Sequence, residues 1–128
     1  MKRIIAVLLA LLNLSVFVGC NNKGSIGYEQ ITAEQAKAIM DNENGYIIID
    51  ARTQSEYDEG HIAGAILIPE YEITTRAEEL LKDKNQLILV YCRSGRRSKI
   101  AAQALVELGY TNVKEFGGII DWKYEIVK

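Results

Sequence analysis

The sequence is poor in the residues that build metal centres and disulfide frameworks. Its 128 residues include one histidine, one proline and two cysteines, and the net charge is -2. Because no cluster of histidine, cysteine and aspartate has metal-ligand spacing, we expect no metal and no cofactor. The cations are concentrated in one short segment, so we expect no nucleic acid partner. The sequence also lacks internal repeats and low-complexity segments.

An uncharged apolar run, Ile4 to Val18, follows the basic start MKR. It is shorter than the roughly 20 apolar residues of a membrane-spanning helix. This order is typical of an export signal, and the following FVGC resembles the lipobox of bacterial lipoproteins. We therefore expect a signal peptide at residues 1–19 and lipid on Cys20, which would anchor the protein to a membrane outside the cytoplasm. An ordinary cleaved signal and an uncleaved anchor are the alternatives.

The remaining chain is long enough for one domain with its own core. Residues 20–30 are polar and contain glycine, which predicts a tether between the lipid anchor and a domain at 31–128. Short apolar runs within the domain predict strands at 45–51, 65–69, 86–92 and, more weakly, 112–116.

Helical patterns separate these strands. Thr32 and Gln35 form a capping-box pattern, so a helix should begin there. A second helix is predicted from Thr74 or Thr75, and a third after Gly95 that stops at Gly109. Residues 53–64 are predicted to be irregular with one helical turn, and 119–127 a terminal helix or turn. Strands that alternate with helices predict an α/β fold, with a mainly parallel sheet of about four to five strands and helices on both faces.

Cys92 ends the strand at 86–92 and is followed at once by Arg93, Arg96, Arg97 and Lys99. If Cys20 is lipidated, Cys92 has no partner, so it is either buried and inert or kept for its reactivity. The carboxyl edge of a parallel sheet is where such folds bind ligands. The next helix directs its positive N-terminus there, and Gly95 lets amides face inward. Together with the arginines, these features favour a thiolate at Cys92 and an anionic substrate beside it.

Four segments resemble motifs of the rhodanese family of sulfurtransferases. CRSGRR (92–97) is similar to its active-site loop, IDAR (49–52) to its D-x-R element, and EYDEGHIAGAILIP (56–69) to its hallmark segment. GGIIDW (117–122) resembles the glycine pair and tryptophan near the family's end. The segments appear in family order between about residues 31 and 125. The resemblance implies a rhodanese-like fold for this domain.

The resemblance also implies a reaction. Cys92 would take the outer sulfur of a small anionic donor such as thiosulfate, form a persulfide, and pass the sulfur to cyanide, a thiol or a protein. Cysteine phosphatases place arginine six positions after cysteine, whereas Ser98 stands there, so phosphatase or arsenate reductase activity is a minor alternative. The rival from another class is a rhodanese-like sulfur carrier or protein-docking module without turnover.

Site residues follow from the motif. Arg93 and Arg97 are expected to bind the substrate or the persulfide, Arg96 to do so or simply to face water, and Ser94 and Gly95 to supply amides. Four residues are expected to be structural. His61 would be a hydrogen-bonding residue rather than a general base, Ser98 a helix cap, Asp50 a strand-end anchor, and Arg52 a partner of Glu56 or a residue that reaches the active site. Trp122 is expected to pack in the core or at its rim.

Overall fold

The computed structural model describes residues 27–128. The expected signal peptide at 1–19 and lipidation at Cys20 lie outside these residues, as does most of the expected tether. Across 27–128, every helix is too short or too polar to cross a membrane.

Five parallel strands form the central sheet, in the order β1-β6-β5-β2-β4. Their bounds are β1 Glu29–Gln30, β2 Ile47–Asp50, β4 Ile66–Leu67, β5 Ile88–Cys92 and β6 Val113–Gly118. Two further strands, β3 His61–Ile62 and β7 Ile126–Val127, pair antiparallel with each other. The predicted α/β class, with its mainly parallel sheet, is confirmed.

Within residues 27–128, four α-helices connect the strands: α1 Ala33–Asn42, α2 Gln54–Glu59, α3 Ile73–Leu80 and α4 Arg96–Glu107. Short 3₁₀ helices occupy Glu70–Glu72 and Ile119–Asp121. Thr32 and Gln35 form the predicted capping box of α1, and α4 is followed by Gly109 at φ +96°. The prediction of a cap at Thr74 or Thr75 is wrong. Both lie inside α3, because the preceding 3₁₀ turn starts the helix earlier, with Glu72 as its N-cap.

Successive side chains of β5 face opposite sides of the sheet. All five of its residues are buried because both sides are covered by other parts of the chain. Ile88, Val90 and Cys92 pack with residues of α3 and α4, including Ile73, Ala77, Ala101 and Leu105. Leu89 and Tyr91 pack with α1 and β3, and with Phe116 and Trp122. Trp122 therefore belongs to the core, as expected, and the helices cover both faces.

Three segments differ from the sequence interpretation. Glu29 and Gln30, placed in the tether, pair with Lys114 and Glu115 of β6, so the sheet begins before residue 31. The stretch 53–64 contains a full helix, α2, started by a capping box of Thr53 and Glu56. Near the end, the predicted helix or turn is present as the 3₁₀ helix Ile119–Asp121, but strand β7 after it was not predicted.

A buried polar network joins the ends of β2 and β5. The Arg52 guanidinium donates to both carboxylate oxygens of Asp50, at 2.9 Å from Nε to Oδ1 and 2.7 Å from Nη2 to Oδ2. Nη2 also donates to the Gly60 carbonyl at 2.7 Å. The Tyr91 hydroxyl donates to Asp50 at 2.6 Å and accepts the Ile62 amide at 3.1 Å. Asp50 thus anchors the strand end, as expected.

The network perturbs two of its members. Burial lowers the pKa of Arg52, but the hydrogen bonds and charge of Asp50 outweigh it, so that pKa is raised. Burial, reinforced by the hydrogen bond to Asp50, raises the pKa of Tyr91 above that of an ordinary phenol. These two shifts favour a charged Arg52 guanidinium and a neutral Tyr91 hydroxyl near pH 7.

Removal of the Tyr91 hydroxyl should weaken the fold measurably. Tyr91→Phe leaves the Ile62 amide without its acceptor and Asp50 without one donor. We expect the free energy of unfolding to fall by about 1–3 kcal/mol in urea titrations. Tyr71, whose side chain is largely exposed, provides the control: Tyr71→Phe should change that free energy by less than about 0.5 kcal/mol. Equal effects of the two substitutions would contradict this account of the network.

Candidate active site

Cys92 lies at the carboxyl end of the middle strand of the sheet. Strand β5 pairs with β2 on one side and β6 on the other, and residues 93–95 connect it to α4. A loop at this position, between a parallel strand and a following helix, is where open α/β sheets bind ligands. The predicted setting of the cysteine is therefore found in the structure.

The loop turns tightly enough to bring a backbone amide onto the sulfur. The Gly95 amide donates to Cys92 Sγ at 3.0 Å. Gly95 has φ +104° and is the N-cap of α4, a backbone conformation that favours glycine. The sulfur therefore faces the unpaired amides and positive dipole of the first turn of α4. Among the loop amides described, that of Gly95 makes this bond; a similar role for Ser94 stays a prediction.

The Cys92 side chain lies beneath the loop rather than on the surface. Only 1% of the residue is exposed, and it forms part of the core cluster between the sheet and α4. In the described part of the chain it has no disulfide partner. Burial alone is typical of an inert cysteine. The hydrogen bond from the Gly95 amide and the position at a helix N-terminus, however, are features of reactive cysteines. Burial therefore limits the access of solutes to the sulfur.

Two glycines of β6, Gly117 and Gly118, pack against the loop at residues 93–95. A Cβ on Gly118 would lie 2.0 Å from the Arg93 carbonyl oxygen, and a Cβ on Gly95 would lie 3.4 Å from the Gly117 Cα. The Ile120 amide donates to the Arg93 carbonyl at 3.2 Å. A larger side chain at Gly118 would push the loop away from the sheet, and one at Gly95 would be strained by the positive φ.

Arg97 is paired with a residue 41 positions away. Its Nη1 and Nη2 donate to the two carboxylate oxygens of Glu56, at 2.7 and 2.8 Å. The Arg97 hydrogen bonds hold the pKa of Glu56 at about 2, and those of Glu56 in turn raise the pKa of Arg97. The predicted Arg52–Glu56 pair is wrong, because Arg52 is buried against Asp50 instead. Substrate binding by Arg97 stays a prediction.

The other cations of the loop are exposed. Within residues 27–128, Arg93, Arg96 and Lys99 make no ion pair. Because water screens exposed charges, they contribute little to folding and are available to an anionic ligand. Their binding role is still a prediction.

Ser98 does not cap α4 as predicted. It lies inside the first turn, fully buried, and its hydroxyl faces the carbonyl of Gly95 at 3.0 Å and the carboxyl of Glu115 at 2.7 Å. Glu115 itself is 3% exposed and was not singled out from the sequence. The strand contains two adjacent charged residues, Lys114 and Glu115, and the sequence alone does not indicate which of them is buried.

His61 lies away from the sulfur, in β3. Its Nδ1 is 2.9 Å from the Tyr57 carbonyl oxygen, and its ring stacks on that of Tyr57 at 3.7 Å between centroids. This arrangement agrees with the expected structural role.

Among the described residues, surface cavities of about 550 and 180 Å³ are both lined by Met40, Asp41 and Tyr46. Neither of the two is lined by residues of the Cys92 loop.

Comparisons with known proteins agree with this geometry. Residues 32–125 match the family model described as Rhodanese-like domain. The chain is 42% identical over 73 residues to the thiosulfate sulfurtransferase PspE of Escherichia coli. The aligned segment covers 57% of this chain and 70% of that protein. It is 34% identical over 94 residues to a sulfurtransferase of Allochromatium vinosum, with 73% and 86% covered. The solved structure titled "rhodanese with anions from E. coli" has a TM-score of 0.61 at 40% identity, covering 65% of this chain and 98% of that one.

Loss of the Glu56–Arg97 pair should produce a pH-dependent loss of stability. The pKa of Glu56 lies near 2 in the folded chain, below its ordinary value of 4.5, so the unfolded state binds more protons between these values. The pair's contribution is complete above about pH 4.5 and declines as the pH falls toward 2. We expect Glu56→Gln to lower the free energy of unfolding by about 1–2 kcal/mol at pH 7, and by less at pH 3.

The matched control is Glu59→Gln, at the exposed end of the same helix. It should change stability by less than about 0.5 kcal/mol at either pH. A Glu56→Gln effect that stayed constant from pH 7 to pH 3 would contradict an ionic origin.

Proposed function

Because the chain belongs to the rhodanese-like domain family, we propose that it is a sulfurtransferase that carries sulfur on Cys92 between a thiosulfate-like donor and a thiophilic acceptor. The observation that supports this most directly is the Gly95 amide, which donates to the Cys92 sulfur at the N-terminus of α4. Sγ bears negative charge as the thiolate that attacks the donor and as the thiolate that is regenerated at the end, and the amide would stabilise it in both.

In the first step, the Cys92 thiolate attacks the outer sulfur of thiosulfate. A new S–S bond forms at Cys92 while the S–S bond of thiosulfate breaks, and sulfite leaves with the electron pair. The exposed guanidinium groups of Arg93 and Arg96 would bind the oxygens of the donor and of the departing sulfite. This step needs no outside oxidant or reductant.

In the second step, a nucleophilic acceptor attacks the outer sulfur of the persulfide. Cyanide, a thiol or a cysteine of a partner protein takes that sulfur, and the Cys92 thiolate leaves with the electron pair. The enzyme thus alternates between two covalent states, which is the pattern of ping-pong kinetics. The Gly95 amide would stabilise the thiolate that is regenerated.

The burial of Cys92 favours a second candidate function. A sulfur that is 1% exposed would be protected from solvent once it is a persulfide, which suits a carrier that releases sulfur only to a docked partner. A carrier would form the same covalent intermediate but turn over slowly with small acceptors. A module that only docks proteins would form no persulfide.

We expect the purified full-length chain, treated with thiosulfate, to gain the mass of one sulfur atom on Cys92, and to produce thiocyanate when cyanide is added. Cys92→Ser should lose at least about 10³-fold of the rate, because the nucleophile is gone. Cys20→Ser is the matched control and should leave both measurements unchanged. A persulfide with negligible thiocyanate production would favour the carrier, and absence of the persulfide with several sulfane donors would overturn the proposal.

We further propose that the protein is a lipoprotein of the cell envelope, with diacylglycerol on Cys20 and the Cys92 loop outside the cytoplasm. The support is the basic start, the apolar run and the FVGC motif of residues 1–20. In a bacterial host fed radiolabelled palmitate, the wild-type chain should incorporate label and fractionate with membranes. Cys20→Ala should do neither, whereas Cys92→Ser should do both; label that persisted in Cys20→Ala would contradict the anchor.

A further inference from the structure

We propose that Glu115 is a positioning residue for the sulfur-transfer step, acting on Cys92 through the bulge at Gly117 and through Gly95. The inference rests on the proposed sulfurtransferase function. Glu115 lies on β6 on the same face of the sheet as Val113, which packs with α4. It is 3% exposed, and its side chain makes no ion pair within the described residues.

The carboxyl group of Glu115 holds the irregular end of β6. Val90 is opposite Glu115 and Cys92 is opposite Gly118, so β6 has one more residue than β5 between these pairs. The extra residue forms a bulge in which Gly117 has φ +87°. Oε2 of Glu115 accepts the Gly117 amide at 2.6 Å, so the carboxyl group provides this amide with an acceptor at the bulge.

The same carboxyl oxygen holds the first turn of α4. The Ser98 hydroxyl lies 2.7 Å from Oε2 of Glu115, 3.0 Å from the Gly95 carbonyl oxygen and 3.4 Å from that of Gly117. The hydroxyl has one proton and shares it among these acceptors in a multi-centre hydrogen bond. Glu115 therefore links the bulge of β6 at Gly117 to the first turn of α4, which begins at Gly95.

Gly95 transmits this support to the sulfur. Its backbone packs on that of Gly117, with 3.4 Å between an added Cβ and the Gly117 Cα. Its amide donates to Cys92 Sγ at 3.0 Å. If the bulge and the first turn of α4 loosen, the amide is no longer held in line with the sulfur. The guanidinium groups of Arg93 and Arg96 are exposed and make no ion pair with Glu115 in the described residues, so their charge stays available to the donor.

This arrangement predicts a loss of kcat rather than of substrate binding. In the Cys20→Ser background, Glu115→Ala should lower kcat for thiosulfate and cyanide about tenfold and change the KM for thiosulfate less than about twofold. Hydrogen exchange of the Gly95 amide, measured by NMR, should become about tenfold faster. Glu115→Gln retains an oxygen that can accept both hydrogen bonds, so it should stay within about threefold of wild type in both measurements.

Ser98→Ala provides a second route to the same test if Glu115→Ala does not fold. It removes the hydroxyl between Glu115 and Gly95, and we expect a loss of kcat of several fold. Combined with Glu115→Ala, where that variant folds, it should cost less than the product of the two single effects, because both changes break one network.

Tyr110→Phe separates positioning from loss of stability. It removes a buried hydrogen bond from the Tyr110 hydroxyl to the Leu81 carbonyl, at 2.6 Å and without contact to the loop. It should lower the Tm by a few degrees and leave kcat and Gly95 exchange unchanged.

The proposal is overturned if Glu115→Ala keeps wild-type kcat and exchange, if it behaves like Tyr110→Phe, or if Glu115→Gln is as impaired as Glu115→Ala. A wild-type chain without a persulfide would refute the proposed function instead. The exchange measurement would still decide whether Glu115 holds Gly95.

Discussion

The close packing of the loop at 93–95 on the glycine pair Gly117–Gly118 is the constraint on which the site depends. A methyl group at Gly118 would overlap the Arg93 carbonyl oxygen, and one at Gly95 would lie in van der Waals contact with the Gly117 backbone. Only this approach brings the Gly95 amide onto the sulfur of Cys92. The contact between Cys92 Sγ and the Gly95 amide therefore depends on backbone contacts between two strands and a helix, and the loop's charged side chains are attached to that frame.

The charges around the loop divide into two groups with different physical roles. Arg97 and Glu56 form a two-pronged ion pair that ties α2 to the first turn of α4. The pair of Asp50 and Arg52 lies at the end of β2, where Asp50 accepts the Tyr91 hydroxyl of β5 and Arg52 donates to the Gly60 carbonyl. Because these pairs are partly or fully shielded from water, they stabilise the helices and strand ends around the loop. Arg93 and Arg96 are exposed, and their charge is available to an anion that approaches the loop.

Much of the fold follows from local sequence signals, because their physical causes are local. The capping box at Thr32, the buried strand that ends at Cys92 and the glycine after α4 were predicted correctly from residues within a few positions of each other. Strands β1 and β7 were missed, because two residues carry no periodicity and both strands exist only through distant partners. The start of α3 was misplaced, because the 3₁₀ turn before it has no strong sequence marker.

For the site, the sequence by itself determined that a lone cysteine ends a buried strand and precedes a glycine, several cations and a helix. That pattern is enough for the chemistry of a thiol held at a helix N-terminus, because all its parts are neighbours along the chain. Only the tertiary structure decided that Arg97 pairs with Glu56, that Arg52 is occupied by Asp50, that the sulfur is buried, and that Glu115 lies beneath the loop. The reason is that choice among partners and access to water depend on distances between segments separated by tens of residues, which no local pattern encodes.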